Sequence, residues 1–186
     1  MVAALAAAGG ASPTRREVAD TACYLEAHEA KIPGGRQDQF AAAFGGFNVF
    51  RFHDPAIDIA TLRLSEAFAA ELARRTILCY TGASHFSGGT IGRVMQGYER
   101  GDPAIVDALQ RLRCAAEEMD QAIRAEDLAR IGSLMAENWR QQQALDAGMC
   151  TPVMASLEAA LRDAGALGGK AAGSGEPEEN SLYTWF

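Results

Sequence analysis

The sequence has little that would mark a metal, redox or membrane protein. Its four cysteines, Cys23, Cys79, Cys114 and Cys150, are widely spaced and form no Cys-x-x-Cys pair, so we expect reduced thiols rather than a zinc knuckle or a disulfide framework. The three histidines form no His-x-x-His arrangement, and we therefore expect no metal site. No apolar run approaches the roughly 18–20 residues that a transmembrane helix needs, which argues against a membrane partner.

Basic residues are also scarce. The chain has 17 Lys and Arg against 24 Asp and Glu, a net charge of −7 over 186 residues, with a pI of about 5.0. This acidic balance argues against nucleic-acid binding, although a local basic cluster could still hold a small anion. The apolar start, residues 1–8, lacks the basic region of a signal peptide, so we expect a cytoplasmic protein. With 48% apolar residues, the chain is long enough for a sizeable core.

The hydrophobic patterns predict a helix-rich α+β protein. Thr14 and Glu17 have the spacing of a capping box, which predicts that a helix begins after the glycines at 9 and 10. Strong three- and four-residue periodicity over 105–123 predicts a long amphipathic helix, and Trp139 lies on the apolar stripe of the next one. The other predicted elements are strands at 46–52 and 57–59, a buried strand at 76–80, and helices at 1–8, 65–75, 89–98, 128–145 and from Pro152 to before Gly165.

The most informative stretch is 32–48, which begins Ile-Pro-Gly-Gly-Arg-Gln-Asp-Gln-Phe. Its paired glycines permit close approach of the backbone to a ligand. Asp38 stands between two glutamines and two residues after Arg36, a setting that suits a carboxylate taking a proton from a hydroxyl. The alternative is that Asp38 simply caps a short helix over 39–43.

A second glycine-rich stretch covers 165–175 and contains Gly168-Gly-Lys170. Such a loop can present backbone N–H groups to an anion. It does not match the phosphate loop of nucleotide-binding proteins, because no Ser or Thr follows Lys170. A flexible linker is the alternative. Histidine 85 lies in a loop after the strand predicted at 76–80, where it would face a crevice.

Three segments, GGRQDQFAAAFGGFNVFRF, LCYTGASHFSG and AGALGGKAAGSG, together resemble the galactokinase–homoserine kinase–mevalonate kinase–phosphomevalonate kinase (GHMP) superfamily. The likeness is greatest to its D-glycero-D-manno-heptose 7-phosphate kinases and runs from residue 1 to about 175. It implies ATP- and Mg²⁺-dependent transfer of a phosphoryl group to the anomeric hydroxyl of a heptose 7-phosphate, a small-molecule substrate. By this resemblance Asp38 is the catalytic base.

The resemblance also implies two groups of binding residues. The sugar pocket would be formed by Gly34, Gly35, Arg36, Gln37 and Gln39, with Thr81, Gly82 and His85 from the loop after the strand. The nucleotide phosphates would lie near Gly168, Lys170, Gly173, Ser174 and Gly175.

The chain departs from the family pattern at both ends. A nucleotide loop of the form Pro-x-x-x-Gly-Leu-Gly-Ser-Ser does not occur, and residues 176–186 are acidic and unlike the family. We therefore expect an incomplete GHMP-kinase fold: a partial N-terminal lobe at 1–80, a helical C-terminal lobe at 81–175 and a disordered tail at 176–186. Such a chain should have little kinase activity. The alternatives are a non-catalytic remnant that binds a sugar phosphate or a protein partner, and an unrelated helical domain.

Overall fold

The computed structural model describes residues 1–32, 34–80, 88–172 and 182–185. The chain divides into two compact units, Met1–Arg63 and Leu64–Phe186. This division comes earlier than residue 80, where we place the boundary between the kinase lobes. Helices predominate in both units and each contains a small antiparallel sheet, so the fold is α+β and helix-rich, as the patterns predict. No described helix has both the length and the apolar character required to cross a bilayer.

The first unit consists of helices followed by a hairpin. The predicted capping box is present: the Thr14 hydroxyl accepts a bond from the Glu17 N–H, and the Glu17 carboxylate accepts one from the Thr14 N–H. The strands pair antiparallel from Phe47 opposite Leu62 to His53 opposite Ala56. The elements are α1 (Val2–Ala8), α2 (Arg15–Tyr24), a π-helix (Leu25–Glu29), α3 (Gln37–Phe44), β1 (Phe47–His53) and β2 (Ala56–Leu62).

The core of this unit is aromatic and centres on Phe40 of α3, which is fully buried. Its ring lies 6.1 Å from that of Phe44, 6.0 Å from that of Phe50 and 5.8 Å from that of Phe52. Phe50 and Phe52 alternate along β1 and therefore lie on the same face of the strand, which packs against α3. This packing fixes the start of α3, where Asp38 lies.

The second unit begins with α4 (Glu66–Arg75) and contains most of the predicted helices. Side-chain caps at Ser65, Asp102, Asp127 and Thr151 begin four of them, each accepting a bond from a backbone N–H in the first turn. The remaining elements are β3 (Ile77–Tyr80), α5 (Gly88–Glu99), α6 (Pro103–Arg124), α7 (Leu128–Leu145), a 3₁₀ turn (Ala147–Met149), α8 (Pro152–Asp163), β4 (Gly169–Ala171) and β5 (Leu182–Trp185).

Two apolar clusters stabilise this unit. Trp139 is 1% exposed, which confirms the prediction that it lies in the core, and it packs with Met154 and Ala171. The other cluster joins α4, α6 and α7 through Phe68, Leu72, Ala115, Ala122, Ile131, Leu134 and Met135. The long helix pair therefore presents its apolar stripes inward, as the periodicity predicts.

The three-stranded sheet corrects three predictions. Its order is β3-β5-β4, with antiparallel pairing throughout. The strand at 76–80 is not buried, because β3 is an edge strand in which Ile77, Leu78 and Tyr80 are 51%, 65% and 65% exposed. Residues 182–185, expected to be disordered, form the central strand. Residues 169–171, expected to be a loop or linker, form β4.

Candidate functional site

Asp38 lies in the first turn of α3. The helix begins at Gln37 with Arg36 as its N-cap residue, so the alternative that Asp38 caps a helix over 39–43 is wrong. A carboxylate in a first helical turn is favoured by the helix dipole. Asp38 is exposed and makes no hydrogen bond or ion pair with a described residue. Its carboxylate is therefore open to contact with a ligand.

A cavity of about 240 Å³ lies beside the start of α3. Four residues of the predicted sugar pocket line it together: Gly34, Gly35, Arg36 and Gln39. The rest of the lining comes from α2, the π-helix and the segment after it: Asp20, Cys23, Tyr24, Glu26, Ala27, His28 and Ile32. A cavity lined by a guanidinium, two carboxylates and an amide suits a polar ligand.

Two neighbours contact the Arg36 side chain. Its guanidinium carbon lies 5.4 Å from the centroid of the Phe52 ring, and one of its nitrogens is 3.9 Å from the Asp54 carboxylate. Asp54 is almost fully exposed, so this ion pair is weak. Arg36 makes no hydrogen bond to a described residue, and its N–H donors remain able to bind a phosphate.

Glu26 also lines this cavity, although no motif in the sequence predicts it as a site residue. Its carboxylate accepts a bond of 2.5 Å from Nε2 of Gln39, while Oε1 of Gln39 is buried and has no partner among the described residues. A sequence signal existed: Glu26 continues the apolar stripe of Val18 and Ala22 at the next four-residue step. A carboxylate in such a stripe must find a polar partner.

A second, larger groove of about 790 Å³ runs between α1, α2 and α3. It is lined mainly by small apolar side chains, and Asp38 lies on its wall. Asp38 thus lines a different space from Arg36, but Glu26 and Gln39 line both. Gln37 lines neither: a Cβ atom at Gly35 would come within 2.0 Å of its Oε1, so this side chain lies against the Gly35 backbone.

Cys23 lies on the wall of the smaller cavity. Partial burial raises the pKa of its thiol, and the nearby Arg36 guanidinium opposes part of that rise by favouring the thiolate. A thiol with a raised pKa is a poor nucleophile, so Cys23 contributes packing rather than covalent chemistry.

The nucleotide residues implied by resemblance are only partly described. A Cβ atom at Gly168 would lie 1.9 Å from the carbonyl oxygen of Gly132, so the absence of a side chain here is required by packing against α7. Lys170 lies in β4, opposite Thr184. Their role in nucleotide binding stays a prediction. Outside the described residues lie Thr81, Gly82, His85, Gly173, Ser174 and Gly175.

Comparisons with known proteins agree with the resemblance. Residues 119–176 match the family model "GHMP kinases C terminal". A D-glycero-alpha-D-manno-heptose 7-phosphate kinase of Campylobacter jejuni is 28% identical over 160 residues, which are 86% of this chain and 47% of the relative. The chain spans about half the length of that relative.

Solved structures show the same fold. A D-glycero-D-manno-heptose 1-phosphate kinase from Bacteroides thetaiotaomicron superposes with a TM-score of 0.62 at 20% identity, over 91% of this chain and 44% of that one. The L. major mevalonate kinase in complex with R-mevalonate gives 0.64 at 19% identity, over 85% and 46%. The chain thus matches the C-terminal domain of the GHMP kinases at residues 119–176 and shares the fold of these kinases over most of its length.

Proposed function

We propose that this chain provides the sugar-binding residues and the catalytic base of an ATP-dependent sugar kinase. The kinase phosphorylates the anomeric hydroxyl of a heptose 7-phosphate. The observation that carries the proposal is the unpartnered carboxylate of Asp38 at the start of α3, on a groove that shares Glu26 and Gln39 with the cavity lined by Gly34, Gly35 and Arg36. The similarity to a heptose 7-phosphate kinase over 86% of this chain supports the choice of substrate.

The chemistry assigned to Asp38 is proton transfer. As the sugar hydroxyl forms its new bond to phosphorus, its proton moves to a carboxylate oxygen of Asp38. The position of Asp38 in an exposed first turn allows the hydroxyl to approach. Arg36 would bind the phosphate that the substrate already carries, because its guanidinium lies over Phe52 and makes no hydrogen bond to a described residue.

The family resemblance implies ATP with Mg²⁺ as the phosphoryl donor. Among the described residues no three His, Cys, Asp or Glu side chains are close enough to hold a metal ion together. Gly168 packs against α7 and Lys170 lies in β4, while Gly173, Ser174 and Gly175 lie outside the described residues, so the place of the nucleotide stays a prediction.

The lack of a Pro-x-x-x-Gly-Leu-Gly-Ser-Ser loop in this sequence favours a second candidate, a protein that binds the sugar phosphate without phosphorylating it. The two candidates share the binding step and differ in turnover. For the 186-residue chain we expect binding and negligible turnover, because loss of the positioning and charge stabilisation of a γ-phosphoryl group costs several kcal/mol, with about tenfold in rate per 1.4 kcal/mol.

The test combines calorimetric titration with D-glycero-D-manno-heptose 7-phosphate and a coupled ADP-release assay with ATP and Mg²⁺. Asp38→Asn should leave affinity nearly unchanged, and Arg36→Gln should weaken it. Asp58→Asn, an exposed carboxylate on β2, is the matched control. Turnover near about 1–100 per second, abolished only by Asp38→Asn, would establish the kinase. Binding without turnover supports the second candidate, and no binding at all refutes both.

A further inference from the structure

The π-helix at Leu25–Glu29 carries Glu26 into the site. The Ala30 N–H donates to the Leu25 carbonyl over 2.9 Å, a bond from the fifth residue along, and the Ile32 N–H donates to the Glu26 carbonyl over 3.0 Å. Such widened turns are rare and occur often at functional sites. Glu26 is half-buried here, whereas Glu29 at the end of the same turn is exposed.

The contact between Glu26 and Gln39 has a defined polarity. An ionised carboxylate only accepts hydrogen bonds, so the amide of Gln39 must direct its NH₂ group at Glu26 and its carbonyl oxygen away from it. Among the described residues, that oxygen is the one buried side-chain nitrogen or oxygen atom without a hydrogen-bond partner. A buried acceptor without a donor is unfavourable, and a hydroxyl group from a ligand would satisfy it.

Both residues line the cavity of Arg36 and the groove of Asp38. A sugar phosphate whose phosphate is bound by Arg36 and whose reacting hydroxyl approaches Asp38 must pass this pair. We propose that Glu26 is a positioning residue, which holds Gln39 with its carbonyl oxygen ready to accept a hydrogen bond from a sugar hydroxyl. This inference rests on the proposed function, because it assumes that a sugar phosphate occupies these spaces.

The variants Glu26→Met and Gln39→Met test the idea by titration with heptose 7-phosphate and with inorganic phosphate. Methionine at position 26 removes the acceptor for the Gln39 NH₂ group, which glutamine at that position would retain. A lost hydroxyl contact should weaken heptose 7-phosphate binding about tenfold, whereas inorganic phosphate, bound by Arg36 alone, should change less than about twofold. The control is Glu29→Met on the same π-helix. The double variant Glu26→Gln/Gln39→Glu restores a donor–acceptor pair with a free carboxylate oxygen, and it should recover most of the affinity.

A purely structural role gives a different result. If Glu26 only ties the π-helix to α3, its replacement weakens both ligands equally or lowers the melting temperature without changing their ratio, and the inference is overturned. Wild-type protein that binds inorganic phosphate but no sugar phosphate refutes the proposed function and the acceptor role together. Wild-type binding with unchanged selectivity in Glu26→Met refutes the positioning role alone.

A measurement without ligand tests the hydrogen bond between Glu26 and Gln39 directly. The side-chain amide of Gln39 should give an ¹⁵N–¹H resonance displaced by its short bond to Glu26. Glu26→Met should move that resonance, and Glu29→Met should leave it in place. A Gln39 amide that does not respond to Glu26→Met overturns the inference.

Discussion

The indole nitrogen of Trp139 on α7 donates a hydrogen bond of 2.9 Å to the carboxylate of Glu158 on α8. Arg162 donates two further bonds, of 2.9 and 3.0 Å, to the other oxygen of the same carboxylate. A single acidic side chain thus joins a buried ring to a surface cation. This contact links the two helices at the cluster formed by Trp139, Met154 and Ala171.

Trp139→Phe should lower the free energy of unfolding by roughly 1.5–3 kcal/mol, the range for a hydrogen bond to a charged group. The ring is buried, and phenylalanine has no N–H group to donate to Glu158. Urea unfolding followed by far-UV circular dichroism measures the change. Val153→Ala, an exposed apolar residue on α8, should change stability by less than about 0.5 kcal/mol. Equal losses in the two variants would contradict the assigned role of Trp139.

The ion pair of Arg93 and Asp146 predicts a pH dependence. Arg93 donates to the two carboxylate oxygens of Asp146 over 2.7 and 3.1 Å, and these bonds lower the pKa of Asp146, with partial burial opposing them. Because the folded-state pKa is the lower one, the pair stabilises the fold above the unfolded value of about 3.9. That stability is lost as the pH falls through the folded-state pKa.

Asp146→Asn should therefore be less stable than the wild type at pH 7, and the difference should shrink as the pH falls below about 4. Urea unfolding over a pH series checks this. Asp163→Asn is the control, because Asp163 is exposed and makes no ion pair with a described residue. A difference that stays constant down to pH 2 would show that Asp146 acts through packing rather than charge.

The raised pKa of Cys23 predicts slow reaction with thiol reagents. At pH 8 a smaller fraction of this thiol is thiolate than in an ordinary cysteine, and the thiolate is the reacting form. Cys114 is exposed and should react first. Heptose 7-phosphate should slow labelling of Cys23, which lines the smaller cavity, and leave Cys114 unaffected. Mass spectrometry of labelled peptides would separate the sites, and equal protection of both would argue against binding at this cavity.

Gly168→Ala should destabilise the second unit by roughly 1–3 kcal/mol, because the new methyl group collides with the backbone of Gly132. Gly92→Ala is the matched control: nothing lies within 4 Å of its Cβ position in α5, so the same change should stabilise by about 0.5–1 kcal/mol. Thermal unfolding compares the two. A Gly168→Ala protein as stable as the wild type would remove the packing explanation for this glycine.

The sequence by itself determined where most elements begin. Capping at Thr14, Asp102 and Thr151 is a matter of a side chain and an N–H two or three residues away, so local pattern suffices. The same holds for the strand at 46–52, whose aromatic alternation the structure confirms as β1. The motif around Asp38 could also be recognised from the sequence, because its residues are neighbours in the chain.

Only the tertiary structure decided which distant residues meet. Glu26 joins the site through Gln39, 13 residues later, and the burial of each depends on packing that no local pattern records. The exposure of β3 depends on its place at the sheet edge, and β5 is a strand because β3 and β4 supply its hydrogen-bond partners. The sequence around Gly168 is typical of a flexible loop, but in the structure this glycine packs against the backbone of Gly132. In each case the deciding free energy comes from contacts between segments, which a one-dimensional pattern does not contain.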